Sequence, residues 1–210
     1  SGCGKSTLLR MVAGFDTPTE GRILLGGNPI TAPGADRGIV FQHPQLYPWL
    51  NVLDNVVFGP RMRGVPRDIF MPAAERYIEI VGLKGFERHF PYQLSGGMRQ
   101  RLQIARVLIN EPNILLMDEP FGALDYQTRL EMQKLLLDLC LDIAPTVLFI
   151  THDIDEAVFI SDRIYVMSAR PGRIVEVLDV PLPRPRVFEE ATTNELFVKL
   201  RLQVLKALKH

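Results

Sequence analysis

The first seven residues, Ser-Gly-Cys-Gly-Lys-Ser-Thr, place one lysine and three hydroxyl groups among small residues, directly before an apolar helical pattern. They fit the end of the phosphate-binding pattern G-x-x-x-x-G-K-[ST]. The glycines let backbone N–H groups turn toward phosphate oxygens, Lys5 offers positive charge to the β- and γ-phosphates, and Ser6 offers a hydroxyl to Mg²⁺. The helix directs the positive end of its dipole at the same place. The candidate nucleotide-binding residues are Ser1, Gly2, Cys3, Gly4, Lys5, Ser6 and Thr7.

Taken alone, this phosphate-binding loop (residues 1–7) would also suit an ordinary glycine turn that enters a helix. A second segment favours the phosphate interpretation, because the apolar run 115–117 ends in Asp118 and Glu119. An apolar strand that ends in two carboxylates suits a nucleotide-hydrolysing site. Asp118 would hold Mg²⁺, directly or through water, and Glu119 would polarise the attacking water. The alternative is a strand followed by a solvated acidic turn.

Residues 94–101, Leu-Ser-Gly-Gly-Met-Arg-Gln-Arg, contain a second candidate phosphate site. Ser95, Gly96 and Gly97 open a predicted helix, whose N-terminus can receive an anion, although a lone Ser-Gly-Gly would more simply be a helix cap. With the other two segments in the same chain, the sequence resembles the ATP-binding-cassette (ABC) ATPases, whose signature is LSGGQ. Met98 stands where that family most often has Gln. The resemblance implies that Ser95, Gly96 and Gly97 meet the γ-phosphate of ATP bound to an opposite subunit.

Three further residues follow in the order that this resemblance implies. Gln42 matches the Q-loop residue, which senses Mg²⁺ and the attacking water and links them to a membrane partner. Asp125 matches the D-loop residue that reaches across the dimer, and His152 matches the H-loop residue that contacts the γ-phosphate. The implied catalytic residues are Lys5, Gln42, Glu119 and His152. The implied Mg²⁺ ligands are Ser6, Gln42 and Asp118.

The segment 42–60 carries the information about a partner. It contains Trp49, the only tryptophan, with Tyr47 and Leu46 nearby. These side chains would form either a seat for a membrane subunit or part of a helical core, and the sequence leaves both open. This segment is similar to bacterial importer ATPases, and the tail segments 168–173 and 183–186 resemble their nitrate, sulfonate and taurine branch. That similarity implies a homodimer on the cytoplasmic face of the inner membrane, working with permease subunits and an extracytoplasmic substrate-binding protein.

The elements that must position these residues follow from apolar periodicity. Predicted helices cover 8–13, 52–58, 73–81, 97–109, 154–161 and 194–208, and another carries the leucines between 130 and 139. Predicted strands cover 113–117, 146–150, 163–167 and 173–177, and the runs 22–25 and 38–41 are expected to form an antiparallel patch. The strand–helix–strand order of 113–150 predicts a parallel sheet. Asp153, Asp155 and Glu156 are interpreted as structural, since the first turn of a helix favours negative charge.

The chain is therefore predicted to be one α/β nucleotide-binding domain over residues 1–210. It would comprise a P-loop NTPase core with a parallel sheet, an antiparallel β patch, a helical signature subdomain at approximately 43–110, and a C-terminal connector and helix at approximately 181–210. Because the first glycine of the phosphate-binding pattern would lie two positions before Ser1, we expect that motif to begin upstream. The resemblance implies that the first strands and an adenine-stacking aromatic residue also precede Ser1.

Charge and composition argue against several other classes of function. Lys plus Arg and Asp plus Glu each number 24, and this neutral balance argues against bulk binding to nucleic acid. No apolar run approaches the ~20 residues of a membrane span, and two cysteines suit free thiols in a reducing compartment. A soluble ABC protein of DNA repair or translation is disfavoured, because only 90 residues separate Lys5 from Ser95, without heptads or cysteine clusters. An exporter ATPase would share every catalytic residue and stays an alternative.

Overall fold

A computed structural model describes residues 3–143, 145–169 and 171–209. Its α-helices, in chain order, are α1 (Lys5–Ala13), α2 (Val52–Met62), α3 (Arg67–Ile80), α4 (Gly96–Leu108), α5 (Tyr126–Ile143), α6 (Ile154–Ile160), α7 (Phe188–Thr193) and α8 (Glu195–Ala207). Its strands are β1 (Leu24–Leu25), β2 (Asn28–Pro29), β3 (Arg37–Phe41), β4 (Ile114–Asp118), β5 (Thr146–Ile150), β6 (Arg163–Met167) and β7 (Ile174–Asp179). This order confirms the predicted α/β class. No helix of the described segments is long and apolar enough to cross a membrane.

The central feature is a parallel sheet of β3, β4 and β5, with β4 in the middle. Residues 114–117 of β4 are buried, as expected for a parallel strand covered on both faces. The strands are in register, so that Phe41, Asp118 and Ile150 lie side by side at their carboxyl ends. The loops that leave this edge therefore begin next to one another, at the edge where open α/β sheets bind their ligands.

The predicted antiparallel patch of residues 21–41 is only partly present. β1 and β2 pair antiparallel around a turn in which Gly26 and Gly27 have positive φ angles. The assignment of β3 to this patch was wrong, because β3 pairs parallel with β4. Its apolar residues mark β3 as a strand, but they do not identify a partner strand that lies far away in the sequence.

The helical segment packs as three helices. α2 contacts both α3 and α4, and α4 also contacts β3. α3 begins at Arg67, earlier than predicted, and continues through Pro72. A proline inside a helix costs about 3 kcal/mol relative to alanine, and the burial of Phe70 and Ala74 on either side of it offsets that cost. Tertiary packing therefore extends the helix beyond its local sequence signal.

The C-terminal part contains β6, β7 and two helices. β6 and β7 pair antiparallel, because the connection 168–173 is too short for the crossover of a dozen or more residues that parallel strands need. The predicted helix at 194–208 is confirmed as α8, which Asn194 caps by accepting a hydrogen bond from the Leu196 N–H (2.8 Å). α8 packs against α6, the helix that follows the H-loop residues.

Candidate active site

The phosphate-binding loop runs directly into α1. Gly4, the residue before the helix, has a φ of 93°, a left-handed conformation that glycine adopts without steric cost. The Leu8 N–H donates to the Gly4 carbonyl (2.9 Å) as the first bond of the helix. The N–H groups of residues 5–7 belong to the open helix end, which favours an anion. The predicted contributions of Ser1 and Gly2 lie outside the described residues.

The ammonium group of Lys5 is available to bind a phosphate. It donates to the Cys3 sulfur at 3.3 Å. Partial burial of Cys3 opposes the change, but the hydrogen bond and the positive charge of Lys5 lower the pKa of its thiol. No ion pair within residues 3–143, 145–169 and 171–209 includes Lys5, so no carboxylate competes there with a phosphate for this ammonium group.

The loop meets the end of β4 through two of the three residues predicted to hold Mg²⁺. The Ser6 hydroxyl donates to Oδ1 of Asp118 at 3.2 Å. Hydroxyl and carboxylate oxygens are the hard donors that Mg²⁺ prefers beside phosphates, so this pair fits the ion chemically. Gln42 follows β3 at the same edge, and its amide lies against Gly122, where a side chain would come within 3.2 Å of Nε2. The absence of a side chain at Gly122 leaves room for the Gln42 amide.

Glu119 and His152 form the second pair at this edge. Oε2 of Glu119 lies 2.9 Å from Nδ1 of His152. Glu119 has a φ of 44°, a left-handed conformation that is uncommon for a non-glycine residue and that concentrates at functional sites. Its N–H donates to the Ile150 carbonyl at 2.9 Å, which fixes the turn. The side chain of Glu119 is 28% exposed and that of His152 is 71% exposed, so both can reach a ligand above the edge.

The signature residues occupy a different place. Ser95 caps α4 by accepting a hydrogen bond from the Met98 N–H (3.2 Å), and Gly97 lies so close to Thr128 that an added Cβ would meet its methyl group at 2.6 Å. Asp125 accepts from the Thr128 N–H at 3.0 Å, and this backbone hydrogen bond lowers the pKa of the Asp125 carboxyl. The N-termini of α4 and α5 thus meet.

The structure therefore divides the predicted residues into two groups. Ser6, Asp118, Glu119 and His152 lie with Gln42 at the sheet edge. The other group holds Ser95, Gly96, Gly97 and Asp125. Within the described parts of the chain, no hydrogen bond joins this second group to residues 3–7.

Several polar residues near the site were not predicted, because their sequence signal is weak. Gln100 and Gln103 of α4 are buried and bind the backbone next to Gln42. Gln133 of α5 is buried beside Glu156. Their only sequence signal is a polar residue at an apolar position of the helical period, which becomes meaningful once the partner backbone is known.

Glu156, which the sequence placed as a structural acid in the first turn of a helix, is buried as well. Asp153 caps α6 as predicted, accepting from the Glu156 N–H (3.1 Å). The Glu156 side chain, however, turns inward; the residue is 6% exposed and accepts a hydrogen bond from Gln133 at 3.0 Å. Burial raises the pKa of its carboxyl, opposed by hydrogen bonds from Thr151 and Gln133. This carboxyl therefore joins α5 to the H-loop beside His152.

The wild-type protein is expected to lose stability as the pH rises because Glu156 ionises, and Glu156→Gln is expected to abolish that part of the loss. Because the pKa is raised in the native state, that state binds the proton more tightly than the unfolded chain does. The stability contribution is present at low pH and is lost as the pH rises from the usual glutamate range through the native pKa. Urea unfolding between about pH 4.5 and 8 measures the effect. Glu75→Gln, at an exposed position of α3, is the control, and equal pH slopes in wild type and Glu156→Gln would contradict the prediction.

The fold and this site define a class of protein: a P-loop nucleoside triphosphatase, in which a helix N-terminus faces the phosphates and a strand-end carboxylate lies beside the hydroxyl of the loop. Residues 1–122 match the family described as ABC transporter. The chain therefore belongs to the ABC transporter family. It is an ATPase of that family, and its hydrolysis of ATP is coupled to transport.

Two relatives and one solved structure show how close the match is. The chain is 51% identical to the nitrate import ATP-binding protein NrtD of Synechocystis sp. over 183 residues, which is 87% of this chain and 69% of that protein. It is 54% identical to the taurine import ATP-binding protein TauB of Burkholderia thailandensis over 175 residues, 83% and 67% of the two chains. The structure of cbiO1 from Clostridium perfringens, part of the ABC transporter complex cbiONQ, matches with a TM-score of 0.80 at 30% identity, covering 98% of this chain and 82% of that one.

Proposed function

We propose that this chain is the ATP-hydrolysing subunit of a bacterial importer for small anions of the nitrate, sulfonate and taurine type. The observation that carries the hydrolytic part is the Glu119–His152 pair at 2.9 Å, at the same sheet edge as the Ser6–Asp118 pair. The anion class is supported by the relatives, which are named as nitrate and taurine import proteins.

Each residue at the sheet edge has a role in this proposal. Lys5 and the N-terminus of α1 neutralise the β- and γ-phosphates. Ser6, Asp118 and Gln42 would hold Mg²⁺, which supplies charge neutralisation on the phosphates when it is bound. Glu119 orients and polarises the attacking water, while His152 contacts the γ-phosphate. Catalysis then consists mainly of positioning and charge neutralisation, as is general for phosphoryl transfer.

The second group of residues suits an ATP bound by another copy of the chain. Ser95, Gly96 and Gly97 stand at the N-terminus of α4, which favours an anion, and Asp125 stands at the neighbouring N-terminus of α5. In the proposed homodimer, ATP lies between the phosphate-binding loop of one subunit and Ser95–Gly97 of the other. Hydrolysis would let the pair reopen and drive the permease subunits.

Trp49 supports a contact with those permease subunits. It is 70% exposed, whereas Tyr47 beside it (ring centroids 5.7 Å apart) is partly buried and packs at a tilted angle against Phe58 (ring centroids 4.4 Å apart). The guanidinium of Arg106 also packs over the Tyr47 ring, 5.0 Å from its centroid. Tyr47 therefore packs with the helices and supports the exposed indole of Trp49. Exposed tryptophans carried on a rigid support are typical anchors of protein interfaces.

The experiment that tests this function is uptake. Cells lacking this subunit are expected to lose ATP-dependent uptake of nitrate, taurine or an alkanesulfonate, and to regain it with the wild-type gene but not with Glu119→Gln. Trp49→Ala is expected to weaken association with the permease by about 2 kcal/mol, roughly thirtyfold, as for an interface anchor. Co-purification measures that association. Tyr165→Ala, which removes an exposed aromatic residue of β6, is the matched control and is expected to keep both properties.

Two results would contradict the proposal in different ways. ATP-dependent efflux in place of uptake would show an exporter. Undiminished co-purification and uptake with Trp49→Ala would show that the permease binds elsewhere on the subunit.

A further inference from the structure

Gln103, a residue of α4, holds the loop that contains Gln42 from inside the protein. Its side-chain Nε2 donates to the Phe41 carbonyl at 2.9 Å, and its Oε1 accepts from the Gln45 N–H at 2.9 Å. Gln103 is 0% exposed. The two bonds therefore fix the backbone on both sides of Gln42, at the last residue of β3 and three residues after Gln42.

This arrangement accounts for an amide on the buried face of α4. The neighbours Leu102 and Ile104 are also fully buried, and a buried polar group without partners costs about 1–3 kcal/mol. A side-chain amide carries its donor and its acceptor on two separate atoms at the same end, which is the arrangement that a carbonyl and an N–H placed side by side require. A hydrocarbon of the same length at position 103 would leave both backbone groups without these partners.

A second glutamine makes a weaker and one-sided contact. Gln100, one turn earlier on α4, donates to the same Phe41 carbonyl at 3.2 Å. It makes no hydrogen bond to the Gln45 N–H among the described residues. Gln100 thus supports the end of β3, while Gln103 alone spans Gln42 on the described part of the chain.

We propose that Gln103 is a positioning residue for ATP hydrolysis that acts through Gln42. It ties the Q-loop to α4, whose N-terminus carries Ser95. Eight residues separate Ser95 from Gln103, about 12 Å along a helix axis, so a displacement of Ser95–Gly97 by a bound nucleotide is transmitted along a rigid helix to the backbone around Gln42. The side chain of Gln42 is seated separately, against Gly122. This inference rests on the proposed role of Gln42 in hydrolysis.

A double-mutant cycle in the full-length subunit tests the proposal. Gln103→Met keeps the length of the side chain but removes both hydrogen bonds. It is expected to lower kcat for ATP about tenfold, the equivalent of one to two buried hydrogen bonds, with KM within about twofold of wild type because the phosphate-binding loop is unchanged. In the Gln42→Ala background the same change is expected to alter kcat by less than about twofold, since the residue through which it acts is gone.

The outcomes separate this inference from the proposed function. Equal losses from Gln103→Met in both backgrounds would show a general structural role and would overturn the inference. An unchanged kcat in Gln42→Ala would remove the proposed role of Gln42, and this inference with it, while leaving the ATPase assignment intact. Gln100→Met is the matched control and is expected to lower kcat by less than about threefold, because it removes one longer bond.

A measurement on the wild type does not depend on whether Gln103→Met folds. Hydrogen exchange read at single residues is expected to show protection of the Gln45 N–H, because this group donates to a buried side chain although Gln45 itself is exposed. Exchange of the Gln45 N–H as fast as in an unstructured peptide would overturn the inference.

Discussion

Glu119→Gln is expected to trap the subunit as an ATP-bound dimer that hydrolyses ATP at least about a hundredfold more slowly than wild type. A positioned general base contributes typically about 10²–10⁴-fold. Glutamine preserves the size of the side chain and its contact with His152 but cannot take a proton from water. Because the dimer reopens only after hydrolysis in the proposed cycle, the unhydrolysed nucleotide holds the two subunits together.

Gel filtration with light scattering measures this trapping, and phosphate release measures the loss of activity. With Mg-ATP, Glu119→Gln should elute as a dimer and without nucleotide as a monomer. Adding Ser95→Arg should abolish the shift, because a bulky cation at the N-terminus of α4 blocks the phosphate of the opposite subunit. Glu79→Gln, which alters only a surface pair with Lys84, is the matched control. A monomer at saturating Mg-ATP, or phosphate release near the wild-type rate, would contradict the assigned role of Glu119.

The site could be predicted from the sequence because its residues follow apolar runs. Asp118 and Glu119 come at the end of β4, and His152 comes just after β5, so their chemistry and their strands are both visible in the sequence. The parallel register of these strands then aligns their ends. That register brings Glu119 and His152 near each other, since Glu119 follows Asp118 and His152 comes two residues after Ile150, the neighbour of Asp118 in the sheet.

The pairing of β3 could not be predicted in the same way. Its residues are close in sequence to the glycine-rich turns of β1 and β2, and local patterns favoured pairing with them. What decides the pairing is the register of β3 against β4 and its packing against α4, both of which are distant in sequence. Sequence periodicity reports that a strand has an apolar face, whereas its partner is fixed by the packing of the whole sheet.

The buried polar residues are the second feature that the sequence could not predict. Gln103 and Glu156 are residue types that usually lie on the surface. Each is buried here because it forms hydrogen bonds with a specific backbone or side-chain partner. Such a partner is set by tertiary structure, so no helical periodicity can reveal it. The residues proposed to contact nucleotide could therefore be named from the sequence, but those that hold them in place could not.

Lys5→Ala is expected to weaken ATP binding about 10- to 100-fold and to abolish detectable hydrolysis. Hydrogen bonds to charged groups contribute about 1.5–3 kcal/mol, and Lys5 makes no ion pair among the described residues that would compensate for its loss. The effect should be larger for ATP than for ADP, because the γ-phosphate carries the additional charge that Lys5 neutralises. Lys5→Arg should recover only part of the affinity, since a planar guanidinium does not replace a compact point charge.

Isothermal titration with ATP and ADP, with Mg²⁺ present, measures this difference directly. Arg10→Ala is the matched control, because Arg10 lies on the same helix but pairs with Asp16 at an exposed position. It should leave both affinities within about twofold, as expected for an exposed ion pair. Equal losses for ATP and ADP in Lys5→Ala would place the ammonium group away from the γ-phosphate. An unchanged affinity for both nucleotides would mean that the N-terminus of α1 holds the phosphates without Lys5, and that this charge serves only the Cys3 thiol beside it.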